Sequence, residues 1–322
     1  MTALKTAVSP IPSTTKRPAL RKGIRLGGLA FGGHFGRVDK ARAIRTIQTA
    51  FDEGITWFDT SPSYGEGKAE EILGDALEKI THHVGITTKS PTLDMAAQMV
   101  KGRTRDAILR SIEGSLRRLN REFVDLYLLD GPLTPTCMLE AVTTAEGLRR
   151  AGVAKSIGIC TPELETLGEI IQHLRLDAVQ APYNILTRLA EARLLSFCRD
   201  HDIAFHACEP LCRGLLAGRL HKNSVFDEGD LRILDRRFRG ERFRRNIEIV
   251  NRLRAYADLE DISLLQLSLG WVLQHPTVAS IVCGAKSPQQ ASELAASHAL
   301  LTPAQVLEVE LIVGEDRFQQ PE

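Results

Sequence analysis

The sequence predicts an α/β protein built as a closed (β/α)8 TIM barrel, and three observations carry that expectation. From about residue 24, short apolar runs alternate with longer amphipathic stretches. The runs are near-continuously apolar, which marks parallel strands covered on both faces. No GxGxxG follows the first run, as an open dinucleotide-binding sheet would require. Eight strand–helix units of this size close into a barrel instead.

Taken in order, the opening strand is read in LGGLAFGG (26–33) and the second in WFDT (57–60). In the following GKAEEILGDALEKI, residues Ala69, Ile72, Leu73, Ala76 and Leu77 recur at helical spacing. VGITTK (84–89) is the third strand, followed by a helix over about 104–119. VDLYLLD (124–130) is the fourth, with a helix over about 137–151. AKSIGIC (154–160) is the fifth and leads into TPELETLGEIIQHL. There Thr161 is expected to cap, Pro162 to take the first turn, and Glu163 and Glu165 to face the positive end of the helix dipole. DAVQ (177–180), IAFHAC (203–208) and VASIVC (278–283) complete the strands, each followed by a helical segment. The stretch 209–245 exceeds a plain βα loop and is read as a functional segment or lid. Residues 1–23, rich in Pro, Ser, Thr and Lys, are expected to form a flexible leader before a single domain over 24–322.

Composition narrows the partners. A formal net charge of +1 gives no footprint for nucleic acid or for a membrane surface. No stretch reaches the apolar length of a membrane span. The six cysteines (137, 160, 198, 208, 212, 283) are scattered with no CxxC, so they read as reduced thiols in a cytoplasmic compartment, with no metal site. His82-His83 reads as a surface turn. The arginine run between Arg232 and Arg245 has only Phe238 and Phe243 interleaved, and is read as a solvated helix face near the cofactor phosphates rather than a nucleic-acid patch. The remaining partner class is a small-molecule substrate, and the oligomeric state stays open.

In a barrel of this kind the site lies at the C-terminal ends of the strands. Those ends read Asp59, Lys89, Asp130, Cys160, Gln180, Cys208 and Lys286, with Tyr64 five residues beyond Asp59. Polar groups at the ends of apolar strands are costly to bury unless they pair, and here they would converge. Asp59, Tyr64 and Lys89 form a chemical set. The ammonium favours the phenolate, the carboxylate keeps the ammonium charged, and the phenol can give a proton to a carbonyl oxygen as hydride arrives at carbon.

At these residues the chain resembles the aldo-keto reductase superfamily. GITWFDTSPSYGEGKAEEILGDAL resembles the signature after the family's second strand. VDLYLLDGP, KSIGIC and VQAPYN resemble the fourth-, fifth- and sixth-strand motifs, PLCRGLLAGRL the segment folding over the cofactor pyrophosphate, and GAKSPQQASELAAS the last cofactor motif. The resemblance implies a TIM barrel that uses NADPH to reduce a carbonyl, or a conjugated C=C, of a small molecule. It implies that Asp59, Tyr64 and Lys89 are three members of the catalytic tetrad and that Gln180 holds the nicotinamide carboxamide. It implies that Gly214, Leu216 and Gly218 belong to the pyrophosphate loop, and that Lys286, Ser287, Gln290 and Glu293 hold the adenosine end. Lys286 and Ser287 would take the 2′-phosphate.

The chain also departs from the family pattern. Asp130 stands where the family has the tetrad histidine, Cys160-Thr161 where it has Ser-Asn, Cys208 where an aromatic stacks on the nicotinamide, and Leu294 where the adenine motif ends in Asn. Three readings of Asp130 follow. Protonated, it donates to a carbonyl; ionised, it is a base for dehydration or isomerisation; or catalysis is degraded and the barrel is a cofactor-binding module. Burial at a strand end and the charge of Asp59 favour the protonated form.

Overall fold

The computed structural model describes residues 23–91, 103–131, 135–160, 163–297 and 300–314. Eight parallel strands close in chain order into one barrel. They are β1 (Gly23–Gly27), β2 (Trp57–Asp59), β3 (Gly85–Lys89), β4 (Val124–Asp130), β5 (Ala154–Cys160), β6 (Ala178–Pro182), β7 (Ala204–Cys208) and β8 (Val278–Gly284). The helices outside it are α1 (Lys40–Asp52), α2 (Lys68–Leu77), α3 (Arg103–Leu119), α4 (Pro135–Arg150), α5 (Leu164–Ile170), α6 (Leu194–Asp200), α7 (Gly240–Leu259), α8 (Leu264–Leu273), α9 (Pro288–Ala295) and α10 (Pro303–Val313). The expected barrel is therefore present.

The apolar pattern divides into two cores. Ile24, Leu26, Phe58, Ile86, Tyr127, Ile157, Val179, Phe205 and Ile281 lie between strands and helices in one large cluster. Trp57, Leu126, Leu128, Ala178 and Ala204 form a second, smaller cluster, the filling of the barrel. Glycine makes room there: a Cβ on Gly85 would stand 2.4 Å from the Trp57 ring. Between β3 and the helices, Glu70 of α2 is fully buried, but it accepts from Thr88 at 2.6 Å and pairs with Arg118 of α3 at 2.6 Å. A buried carboxylate is tolerated when it is paired in this way.

Three expectations need correction. The first strand ends at Gly27, and residues 29–32 form a 3₁₀ turn, because the Gly28 amide already bonds the Asp59 carbonyl at 2.7 Å and the chain turns there. The helix after β5, α5, begins at Leu164 with Glu163 as its N-cap, so Glu163 precedes the first turn; the expectations for Thr161 and Pro162 lie outside the described residues. The arginine run is divided rather than one helix face: Arg244 and Arg245 lie exposed on α7, whereas the stretch before it is an ion-paired loop. Asp230 and Asp235 each cap a short 3₁₀ turn and capture the arginine two residues on, Arg232 at 2.6 Å and Arg237 at 2.6 Å, before α7 opens at Gly240.

Candidate active site at the strand ends

Two loops bring Tyr64 over the barrel. The loop after β1 and the loop after β2 touch at glycines: a Cβ on Gly65 would stand 2.4 Å from the Gly32 carbonyl, and one on Gly32 would stand 2.6 Å from the Tyr64 backbone. Gly65 has φ +64°, Glu66 φ 57° and Gly67 φ 92°, so the chain makes a left-handed turn into α2. That turn leaves the Tyr64 ring edge-on to His34, with centroids 5.9 Å apart, and facing the Lys89 ammonium, whose Nζ is 5.5 Å from the ring centroid.

Below it lies a closed set of side chains. Lys89 Nζ donates to Asp59 Oδ1 at 2.7 Å and to the Thr60 carbonyl at 3.3 Å. Gln180 Nε2 donates to the other oxygen, Asp59 Oδ2, at 2.8 Å, and Cys160 Sγ lies 3.8 Å from Gln180 Oε1. Asp59 and Lys89 are each only 2% exposed. Burial alone would lower the Lys89 ammonium, but Asp59 in contact and Tyr64 nearby reverse this and hold it well above its usual range. A lysine held charged argues against a Schiff base.

Tyr64 differs from the expectation in sign. Burial dominates and raises its phenol above the ordinary value; Lys89 opposes this without cancelling it. The phenol is therefore fully protonated near neutrality and is a donor at rest. The Asp130 amide is anchored by Ser90 Oγ at 2.9 Å, and that hydroxyl in turn donates to the Pro91 carbonyl at 3.0 Å. Burial raises the Asp130 carboxyl above the usual range; Lys89 and a hydrogen bond with Cys160 pull against it, and Asp59 adds to it.

These residues line one end of a cleft of about 400 Å³. Asp59, Tyr64, Lys89, Asp130, Gln180, Gly214, Lys286, Gln290 and Glu293 all reach it. Leu216, Gly218 and Ser287 do not. Leu216 is fully buried in the core. Gly218 is a packing position: a Cβ there would stand 2.7 Å from Arg254, which bonds its carbonyl. Ser287 caps α9, accepting from the Gln290 amide at 3.2 Å. Cys208 and Leu294 line the cleft as their positions implied.

The far end is where sequence reading fell short. Arg213, Arg219 and Arg232 line it together with Lys286 and Phe35. Arg213 pairs with Glu209 at 2.8 Å and Asp235 at 3.1 Å, and Arg219 pairs with Glu293. Arg232 lies 5.3 Å over the Phe35 ring, and Lys286 Nζ donates to the Phe35 carbonyl at 2.5 Å. Only the arginine-rich composition of 209–245 hinted at this. Gly214, at φ 92°, opens the cleft wall: the nearest atom to a Cβ there is Arg232 Nη1 at 3.9 Å. A cleft with an acid–base end and a cationic end, joined by a glycine-lined wall, fits a molecule that is reactive at one end and anionic at the other.

The family model "Aldo/keto reductase family" matches residues 23–313. Aldo-keto reductase YhdN of Bacillus subtilis is 32% identical over 275 residues, covering 84% of this chain and 83% of its own. The NADH-specific methylglyoxal reductase of Escherichia coli is 30% identical over 83% of this chain and 87% of its own. Among solved structures, a glycerol dehydrogenase from Gluconobacter oxydans superposes with a TM-score of 0.78 at 28% identity, covering 90% of each chain. An aldo/keto reductase from Klebsiella pneumoniae, in complex with NADP and acetate, shares the fold at a TM-score of 0.68, 24% identity and 90% coverage of each chain.

Proposed function

The chain belongs to the aldo/keto reductase family, and from that premise we propose that it is an NADPH-dependent reductase of a small carbonyl compound, or of a double bond conjugated to one. The observation that carries the reading is the convergence of the Asp59–Lys89 pair, Tyr64 and Asp130 at one end of a cleft whose other end is cationic.

When bound, the cofactor supplies a hydride. Gln180 would face its carboxamide, Gly214 and Arg213 its pyrophosphate, and Lys286, Arg232 and Gln290 its adenosine end. One relative is named for NADH, but the cations Lys286 and Arg232 at the adenosine end of this chain favour the extra phosphate of NADPH.

The chain's own groups handle the proton. Tyr64 is a neutral phenol, held in place by the Gly32–Gly65 contact, and it gives its proton to the oxygen that gains charge. Lys89 stays an ammonium because Asp59 grips it, and it stabilises the phenolate left behind. Asp130 in its protonated form gives the same oxygen a second donor, the place a neutral histidine takes in the wider family. An ionised Asp130 would repel that oxygen, and the raised carboxyl argues for the acid.

The test is direct. Purified protein is mixed with NADPH and then with aldehydes, ketones and enones, and the nicotinamide absorbance is followed. Loss of absorbance with at least one class is expected. Tight NADPH binding with no oxidation by any class would overturn the reading.

A further inference from the structure

At the mouth of the barrel, three side chains of the cleft stand on neighbouring strands at one level. Asp130 of β4 pairs in register with Cys160 of β5, and Cys160 with Gln180 of β6. Residues paired across parallel strands point to the same face, and all three line the cleft. The reaction as described uses Asp130 and Gln180. Cys160, between them, has no part in it.

The contacts of Cys160 are polar on both sides. Its Sγ lies 3.8 Å from Gln180 Oε1, toward which it donates. A side-chain hydrogen bond also joins it to Asp130. Cys160 is 9% exposed and fills the barrel with Leu126 and Leu128. Packing explains that burial and not the two polar partners.

The direction of these bonds follows from their fixed end. Lys89 donates to Asp59 Oδ1 at 2.7 Å, and Gln180 Nε2 donates to Asp59 Oδ2 at 2.8 Å. A carboxylate only accepts, so the Gln180 amide nitrogen faces Asp59 and its oxygen faces Cys160. The thiol has one hydrogen to give. While that hydrogen goes to Gln180, the lone pairs of the sulfur face Asp130 and suit a protonated carboxyl that donates. Once Asp130 ionises, the same hydrogen meets a stronger acceptor in the carboxylate.

The other groups around this row can be named by element. Lys89 on β3 and Asp59 on β2 act on Asp130, and the Gly131 backbone bonds to it. Tyr64 and Cys208 share the cleft, each raised by burial and neutral. His206 of β7 pairs in register with Gln180; it is held neutral, chiefly by burial, and its Nδ1 is 2.8 Å from Ser280 Oγ. Glu209, just past β7, accepts from Arg213 at 2.8 Å and Arg237 at 2.9 Å. Of the groups named, Cys160 is the one bonded to both Asp130 and Gln180.

We propose that Cys160 is a positioning residue of the acid–base site: its thiol ties the Asp130 carboxyl to the Gln180–Asp59–Lys89 chain, giving its hydrogen to Gln180 while Asp130 is an acid and to Asp130 once that carboxyl ionises. The inference deepens the function proposed above and rests on that reading of Asp130 and Gln180. The acid that donates at the substrate oxygen is then held by the same chain that seats the nicotinamide carboxamide. A thiol donor favours the carboxylate over the acid, so the link also limits how far burial raises Asp130.

The experiment takes infrared spectra of the full chain, without cofactor, against pH, for the unmutated protein, Cys160→Ala, Cys160→Ser and Asp130→Asn. The S–H stretching band of Cys160 is identified by its loss in Cys160→Ser, and the carboxylic-acid band of Asp130 by its loss in Asp130→Asn. In the unmutated protein the S–H band should move to lower frequency as pH rises, with the midpoint at which the acid band disappears. In Asp130→Asn it should stay still. The acid-band midpoint should rise by about half a pH unit in Cys160→Ala, a change in proton affinity of about threefold. It should not rise in Cys160→Ser, whose hydroxyl donates in place of the thiol. An S–H band that ignores pH overturns the proposal, as does one that still moves in Asp130→Asn. So does an acid-band midpoint that stays or falls in Cys160→Ala, or an equal rise in Cys160→Ser, which would mark a packing effect. The lack of any acid band in the unmutated protein overturns it as well. Absence of NADPH turnover with the bands behaving as expected would sink the reductase reading and leave the link through Cys160 standing.

Discussion

The two ends of the cleft hold charge in opposite ways. At the reacting end, Asp59 and Lys89 are almost fully buried and paired at 2.7 Å, and burial is the largest influence on Tyr64, Lys89 and Asp130 alike. At the far end, Arg219 is 52% exposed against Glu293, and the paired Arg213 is 25% exposed. Buried pairs are poorly screened, and breaking one leaves an uncompensated charge; exposed pairs are screened and individually weak. The reacting end should therefore respond to single substitutions by orders of magnitude and the far end by small factors. That contrast is itself testable.

The largest effect is expected at Tyr64. Tyr64→Phe removes one hydroxyl and should lower kcat by about a thousandfold, with NADPH affinity nearly unchanged, as read by steady-state kinetics and fluorescence titration. Full activity would show the phenol to be packing alone.

Asp130 comes next. Its carboxyl is raised, so an acid acting as donor should lose activity as pH rises through that raised value. Asp130→Asn still donates and should keep about a tenth of the rate, with that limb of the pH profile gone. The stability sign follows the same linkage. The raised group contributes stability below its unfolded value of about 4 and loses it as pH rises through the folded value. Thermal melts of Asp130→Asn should lack this slope. A rate that rises with pH, together with a dead Asn variant, would make Asp130 a base.

At the far end, Lys286→Ala should reduce the preference for NADPH over NADH by about tenfold, measured as a ratio of dissociation constants. Equal affinities in the unmutated protein would already contradict the cationic reading. The smallest effect belongs to the exposed pair. Arg219→Ala should weaken NADPH binding by about threefold at low salt and less at high salt. A hundredfold loss there would erase the contrast between the two ends.

What the sequence determined by itself was the repeating pattern and the positions that end its strands. Near-continuous apolar runs imply parallel strands, and polar residues closing them imply a site. For that reason Asp59, Lys89 and Asp130, the last residues of β2, β3 and β4, were legible before any coordinate. A strand carries its side-chain direction in its own period of two. Tertiary structure alone decided the rest. Cys160 reads as one of several scattered thiols, and only the strand register sets it between Asp130 and Gln180. That Leu216 lies in the core, Gly218 against Arg254 and Ser287 at the cap of α9, none of them lining the cleft, also came from the fold. The net direction at Tyr64 also waited for the fold. A neighbouring ammonium can be read from sequence, but the depth of burial that outweighs it is a sum over the whole surrounding chain.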